Sequence, residues 1–385
     1  MMFPKMRVLH VYRTYFPDPP GGLQEAIRQI CAATAALGAE NTIFTLSPDP
    51  LPVHLDMPEA RVVRARSWWA PASCDLGGPS AWWRFRQLQK QADIVVYHFP
   101  WPYADLLHLL APSSVPSVML YHSDIVRQRW LGKVYGPLMR RTLASMSAIV
   151  ATSPRYAQTS PILSLPEIQG KVHAIPLGID EDAINIDEDD KIFSRLVINS
   201  NEPFFLFVGV LRYYKGLHTL LEAARRVSAR IVIAGSGPEG EALKLQAQAL
   251  GLANVTFAGQ VSDAEKVALF RKCRAFVLPS HLRSEAFGMV LVESAMCGRP
   301  MVSCEIGTGT SYVNQHRQTG LVVPPEDPTA LAEAMQVLLE QPELAETYGQ
   351  AARQRYEQLY SSSALGSAYM ALFNGLLDET AVATG

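Results

Sequence analysis

Two glutamates, Glu285 and Glu293, flank an almost wholly apolar stretch, Ala286-Phe287-Gly288-Met289-Val290-Leu291-Val292. The stretch follows a strand-like run, Ala275-Phe276-Val277-Leu278-Pro279-Ser280, and has the length and character of a buried helix. Carboxylates are rarely set beside a buried helix without a partner, because desolvating charge is costly. A polar ligand is the natural partner. A complementary element is Gly209-Val210-Leu211-Arg212-Tyr213-Tyr214-Lys215-Gly216, between an apolar strand and a helix. There Arg212 offers a planar fork, Lys215 a point charge, and the helix start adds free N–H groups and its dipole. That is the chemistry of a phosphate site. The plainer alternative is a pair of solvated loop cations.

Other motifs carry less weight alone. Gly235-Ser236-Gly237-Pro238-Glu239-Gly240 has the Gly-x-Gly-x-x-Gly form of a dinucleotide site. It is not in the first β-α unit of either half, and the next strand lacks the acid that would hold a ribose, so a tight turn near a ligand is the better reading. Gly21-Gly22 follows the first strand, and paired glycines let backbone N–H groups approach an anion; a flexible loop is the alternative. His122, in Tyr121-His122-Ser123-Asp124, ends a strand and could donate to a substrate oxygen or exchange a proton near neutral pH. A structural role is the alternative, for it and for His98. Asp187-Glu188-Asp189-Asp190 reads as a solvated charge run, and no metal is assigned. No His/Cys cluster has zinc spacing, and no Gly-x-Ser-x-Gly elbow occurs.

The elements that must position these residues alternate. Strands are expected at 7–12, 42–46, 94–97, 117–121, 148–151 and 172–175, with a helix over 23–37. A polar stretch within 179–203 interrupts the pattern. A second series follows, with strands at 204–208, 230–234, 255–258, 275–278, 301–303 and 320–323. Its helices are expected at 216–227, 239–250, 263–272, 288–296, 328–340 and 342–360, with a last one at 362–377. This predicts α/β domains with parallel sheets, and a length of 385 residues suggests two of them.

At 48% hydrophobic and 18% charged residues the chain is globular rather than disordered. Its longest apolar runs fall far short of the ~18 residues a membrane span needs, and the N-terminus lacks a signal-peptide core. Five cysteines, with no Cys-x-x-Cys pair, suggest reduced thiols in a cytosolic protein. Residues 1–180 carry +5 and the rest −7, so the first half could dock on an anionic surface. Tryptophan and basic residues interleave there, at Trp68-Trp69, Trp82-Trp83-Arg84-Phe85-Arg86, Arg127-Gln128-Arg129-Trp130-Leu131-Gly132-Lys133 and Arg140-Arg141. The combination suits a membrane interface with anionic headgroups; core packing or an acceptor-sugar platform would use the same aromatics. Nothing suggests nucleic-acid recognition.

Taken together, Glu285…Glu293 with Phe287-Gly288, the Gly209…Arg212…Lys215-Gly216 loop, Gly235-Ser236-Gly237-Pro238 and Gly21-Gly22 resemble the retaining glycosyltransferases of family 4, with the GT-B fold. The resemblance spans nearly the whole chain. Together with Ser303-Cys304-Glu305-Ile306-Gly307-Thr308-Gly309-Thr310-Ser311-Tyr312-Val313-Asn314, the loop at 209–216 looks like bacterial mannosyltransferases of O-antigen and related polysaccharide assembly. The resemblance implies two Rossmann-like β/α/β domains facing across a deep cleft. Residues 1–180 would take the acceptor, joined by a C-terminal helix at about 362–385; 181–203 would be a linker; 204–361 would take the nucleotide-sugar. It implies catalytic roles for His122, Arg212, Lys215 and Glu285, with the two cations on the leaving diphosphate and Glu285 and His122 at the donor sugar. Glu293 would hold the ribose, and the amides of Phe287, Gly288 and Met289 the sugar and phosphate oxygens. The base would rest near Gly259–Ser262, Val261 included, and Gly21, Gly22, Gly209, Gly235 and Gly237 would approach the donor.

The expected reaction is retaining, metal-independent transfer of a hexose to a lipid-linked saccharide. The hexose would be mannose or a related deoxyhexose from a GDP-sugar, with no cofactor beyond that substrate. The protein would be cytoplasmic, peripheral on the inner face of the cytoplasmic membrane. Alternatives are a UDP-sugar-dependent transferase, a sugar-nucleotide epimerase, a non-catalytic binding protein and an NAD-dependent oxidoreductase.

Overall fold

The structure, a computed structural model, describes residues 5–18, 21–70, 74–124, 129–181, 189–199 and 202–384. The chain divides into two units, residues 1–178 with 362–385, and residues 179–361.

The first unit opens with β1 (Arg7–Val11), α1 (Gly22–Ala36), β2 (Glu40–Ser47), β3 (His54–Asp56), β4 (Arg61–Trp69) and β5 (Leu76–Gly77). It continues through α2 (Pro79–Gln89), β6 (Ile94–Phe99), α3 (Pro102–Leu110), β7 (Ser117–Tyr121), α4 (Arg129–Ser145) and β8 (Ala148–Ala151). Helices α5 (Pro154–Thr159) and α6 (Pro166–Gln169) and strand β9 (Val172–Ala174) complete it. Among the described residues the sheet order is β3-β4-β2-β1-β6-β7-β8-β9, with β5 on β4. Every residue of β6 and β7 is buried, as expected where helices cover both faces of a parallel sheet.

The second unit holds α7 (Lys191–Arg195), β10 (Phe204–Val208), α8 (Leu217–Ala224), β11 (Arg230–Ala234), α9 (Gly240–Ala249) and β12 (Val255–Gly259). Then come α10 (Asp263–Lys272), β13 (Ala275–Leu278), α11 (Met289–Met296), β14 (Met301–Cys304), α12 (Thr310–Val313), β15 (Gly320–Val323), α13 (Pro328–Glu340) and α14 (Pro342–Leu359). Its sheet is parallel, in the order β12-β11-β10-β13-β14-β15. The chain winds outward one way from β10 and the other way from β13. The crevice beyond the carboxyl ends of these two neighbours is therefore the switch point at which ligands bind in open α/β sheets.

The last helix, α15 (Ser362–Thr384), belongs to the first unit and packs on α1. Their approach is close: a Cβ on Gly366 would lie 2.5 Å from the Ala33 carbonyl oxygen. The described part of the expected linker, 181–203, falls in the second unit instead of standing apart. There α7 buries Ile192 and Phe193, and the Phe193 ring lies 6.1 Å from that of Phe204 in β10.

Strand β4 escapes the alternation reading because Arg61, Arg64 and Arg66 break up its apolar run. Arg64 is nevertheless buried. Its guanidinium donates to Ser47 Oγ at 2.8 Å and the Leu51 carbonyl at 3.1 Å, and lies 3.3 Å from the Asp18 carboxylate. A buried charge is tolerated when it is paired in this way.

Candidate functional site

The loop after β10 and the loop after β13 meet at the switch point. Gly209 to Leu211 leave β10, Tyr213–Lys215 form one 3-10 turn, and Gly216 begins α8. Gly216 has φ of +68°, and a Cβ there would lie 1.9 Å from the Pro279 carbonyl oxygen. Only glycine lets the two loops come this close. The closure sets Lys215 against Glu285: Nζ lies 2.5 Å from Oε2, both side chains are about nine-tenths buried, and Ser280 Oγ donates to the same oxygen at 3.1 Å. The Tyr214 ring lies 5.5 Å from Nζ. Arg212 is exposed one turn earlier.

The β11–α9 turn supports this loop from beneath. A Cβ on Gly235 would lie 2.0 Å from the Gly209 carbonyl oxygen, and one on Gly237 2.5 Å from that of Leu211. The Leu211 amide donates to the Ser236 carbonyl and the Glu239 amide to the Leu211 carbonyl. Gly235 and Gly237 thus act as spacers that hold the cation loop in place. Gly288 caps α11 at its N-terminus, Met289 begins that helix, and Phe287 buries its ring 6.2 Å from Tyr360. The Phe287 side chain is core.

Glu293, on the second turn of α11, lies across from α10. Its Oε1 is 3.3 Å from Lys266 Nζ, which is also 3.3 Å from the Asp263 carboxylate. Burial works to lower the Lys266 pKa, but the Glu293 and Asp263 charges outweigh it and hold the pKa above the usual lysine value. Ser262 caps α10 through a reciprocal capping box with Glu265, so 259–262 approach this trio as an ordered turn. Val261 in that turn is half-buried.

In the first unit, Gly21 caps α1 and Gly22 opens it at the carboxyl end of β1; a Cβ on Gly22 would meet nothing within 4 Å. His122 follows β7 directly, and its Nε2 lies 3.1 Å from His98 Nδ1 at the end of β6. His98 Nε2 is in turn 3.1 Å from His10 Nδ1 in β1. The three rings stack with centroids 5.4 Å apart at each step. Burial lowers the pKa of His10 to about 4 and of His122 to about 3, and it drives that of His98 well below the ordinary value.

A family profile described as Glycosyl transferases group 1 matches residues 188–355, and one described as Glycosyl transferase 4-like domain matches residues 21–178. Over 357 residues the chain is 47% identical to the D-rhamnosyltransferase WbpZ of Pseudomonas aeruginosa, covering 93% of each chain. The chain belongs to the group 1 glycosyltransferases. It is also 43% identical to the O-antigen chain mannosyltransferase C of Escherichia coli over 374 residues, 97% of this chain and 100% of that one. Among solved structures, sucrose-phosphate synthase from Thermosynechococcus elongatus matches with a TM-score of 0.79 at 22% identity, covering 97% of this chain and 100% of that one. WaaG, described as a glycosyltransferase involved in lipopolysaccharide biosynthesis, matches with a TM-score of 0.64 at 18% identity over 94% and 98%. These two establish the fold: each unit is Rossmann-like and the architecture is GT-B.

Two features of this glycosyltransferase escaped the sequence. Lys266 looks like an ordinary solvated helix cation, because its partner Glu293 is 27 residues away. The histidine chain draws on three strands, and His10 carries no local signal at all. The aromatic–basic cluster also changes composition. Trp68, Trp69, Trp82 and Trp83 are exposed, as is Arg66. Arg84 instead donates to the Arg64 carbonyl, and Arg86 to Gln89 and the Ala111 and Pro112 carbonyls. Arg127 and Gln128, and Asp187-Glu188 of the acidic run, lie outside the described residues, as do the side chains of 129–134. Among the described residues no helix is long and apolar enough to cross a membrane.

Proposed function

We propose that this glycosyltransferase is a retaining, metal-independent hexosyltransferase of O-antigen-type polysaccharide synthesis. It moves mannose or a related deoxyhexose from a GDP-sugar to a lipid-linked saccharide. The observation that carries the reading is the Lys215–Glu285 pair, set with Arg212 at the carboxyl ends of β10 and β13. The printed activities of the two relatives, a rhamnosyl and a mannosyl transfer, support the sugar class.

Lys215 and Arg212 take the donor diphosphate, and Glu285 takes a hydroxyl of the sugar. The bond between the anomeric carbon and the phosphate oxygen breaks, its electron pair staying on that oxygen. Arg212 and Lys215 stabilise the charge that develops there. The anomeric carbon passes through an oxocarbenium-like state. An acceptor hydroxyl bonds to it from the face the phosphate leaves, and its proton goes to a donor phosphate oxygen. The products are the glycoside and GDP. In this reading His122 addresses the donor sugar, Gly21 and Gly22 the diphosphate, and Glu293 the ribose hydroxyls.

Two further features support the finer assignments. The Asp263 carboxylate is exposed beside Lys266 at the base turn. Guanine has adjacent N–H donors for a carboxylate and O6 and N7 acceptors for a lysine, whereas uracil has one such donor. The exposed tryptophans of β4 and α2 and the exposed Arg66 are residue types suited to an anionic membrane interface, which would bring the lipid-linked acceptor near. The test is a thermal-shift panel of GDP, UDP and ADP, followed by transfer from the matching sugar nucleotides. Stabilisation by GDP and transfer from a GDP-sugar are expected. Stabilisation by UDP alone would establish a UDP-sugar-dependent enzyme instead.

A further inference from the structure

The rings of His10, His98 and His122 make a continuous buried chain across three adjacent strands of the first sheet. Each link joins Nδ1 of one ring to Nε2 of the next, at 3.1 Å. A neutral imidazole has one donor nitrogen and one acceptor nitrogen. Every link needs one of each. The rings must therefore all carry the proton on Nδ1, or all on Nε2; no mixed arrangement satisfies both links.

The His10 end selects between the two. Its Nε2 is buried beside the Asn41 carboxamide. Both amide hydrogens of Asn41 are committed, to the Cys31 carbonyl at 2.8 Å and to Thr34 Oγ1 at 3.1 Å, and the Thr34 hydroxyl donates to the Ile30 carbonyl at 2.8 Å. Asn41 can therefore offer His10 only its oxygen, an acceptor, and a hydrogen bond to it works to raise the lowered His10 pKa. The proton is better placed on Nε2 of all three rings.

We propose that His98 and His10 are positioning residues that lock His122 as its Nε2–H tautomer, so that His122 Nδ1 presents a fixed hydrogen-bond acceptor to a substrate hydroxyl and does not act as a donor. The proposal rests on the reading that His122 addresses the donor sugar. Burial of the chain keeps all three rings neutral at neutral pH, which the lock requires.

The test is 15N NMR of the imidazole nitrogens in the full-length protein, with steady-state transfer on the same samples. In the wild type, His122 Nε2 gives the pyrrole-type shift and Nδ1 the pyridine-type shift. In His98→Phe, which keeps a flat ring but no hydrogen bond, His122 gives averaged shifts. There kcat falls about 10- to 100-fold while donor KM changes little. His98→Asn, whose amide can stand in for Nδ1, restores most of kcat. Thermal melting confirms that both variants are folded. A pyrrole-type Nδ1 at His122 in the wild type, or unchanged shifts and kcat in His98→Phe, would overturn the proposal. His122→Ala with normal transfer would remove the functional reading of His122, while the wild-type shifts would still report whether the lock exists.

Discussion

Lys215 and Glu285 form a buried ion pair, Nζ to Oε2 at 2.5 Å, between two loops 70 residues apart in the chain. Each group neutralises the other where water is largely absent, so the site holds its own charge balance before a donor arrives. On the proposed reading, a diphosphate would compete with Glu285 for the lysine, and the pair would link nucleotide binding to the position of the carboxylate that faces the sugar.

The competition predicts opposite effects on binding and turnover in Glu285→Gln. Loss of the carboxylate charge should raise affinity for GDP alone about 3- to 10-fold, or ~0.7–1.4 kcal/mol. Sugar transfer should fall by at least tenfold. Titration calorimetry with GDP reads the first effect, and weaker GDP binding would contradict the competition.

On the proposed reading, Lys215→Ala removes a donor aimed at the leaving group. Mutations of this kind cost about 10²–10³ in kcat. The fold should survive, because Glu285 retains its hydrogen bond from Ser280. Near-normal transfer by a protein with native far-UV dichroism would refute the phosphate role.

At the base end, Asp263→Ala should lower affinity for GDP about tenfold and leave the weak binding of UDP unchanged. Lys266 would still neutralise Glu293. Equal losses for both nucleotides, measured by competition, would show that Asp263 does not read the base.

Replacing Trp68, Trp69 and Trp83 together by serine should abolish binding to vesicles containing an anionic phospholipid. Arg84→Ala and Arg86→Ala should act differently. Their guanidiniums serve backbone carbonyls, so they should lower the melting temperature and spare vesicle binding in the fraction that remains folded. Unimpaired sedimentation of the tryptophan variant with vesicles would dispose of the membrane assignment.

The buried titratable groups of the first unit predict a pH signature. Burial lowers His10 and His108 to about 4 and His122 to about 3, against an unfolded value of 6.5. The unfolded chain then binds more protons below pH 6.5, and these groups cost stability as pH falls from there towards 4. Asp105 opposes them. Burial raises its pKa to about 7 from 3.8, despite hydrogen bonds from Tyr135 and Thr142, so the folded protein binds the extra proton and this residue favours lower pH across the window. Asp105→Asn should therefore steepen the loss of stability between pH 6.5 and 4.5 by up to about 1.4 kcal/mol per pH unit. Urea unfolding at several pH values reads the slope, and an unchanged slope would be the adverse result.

Much of this protein was legible along the chain. The strands at 117–121, 148–151 and 204–208 and the helices at 263–272 and 328–340 coincide with the structure, because uninterrupted apolar runs and helix periodicity are local signals. Arg212, Lys215 and Glu285 stood out for the same reason, being charges beside buried elements. Strand β4 was hidden because the partners that let Arg64 be buried come from Asp18, Ser47 and Leu51. Which charges touch was likewise decided only in three dimensions. Lys215 meets Glu285 because Gly216 admits the Pro279 carbonyl, and Lys266 meets Glu293 because α10 and α11 flank one strand. His10, His98 and His122 become one hydrogen-bonded chain only when β1, β6 and β7 lie side by side. Residue type and local pattern set which groups can do chemistry. Sheet order and the close approach of loops, which depend on packing between residues distant in sequence, set which of them act together.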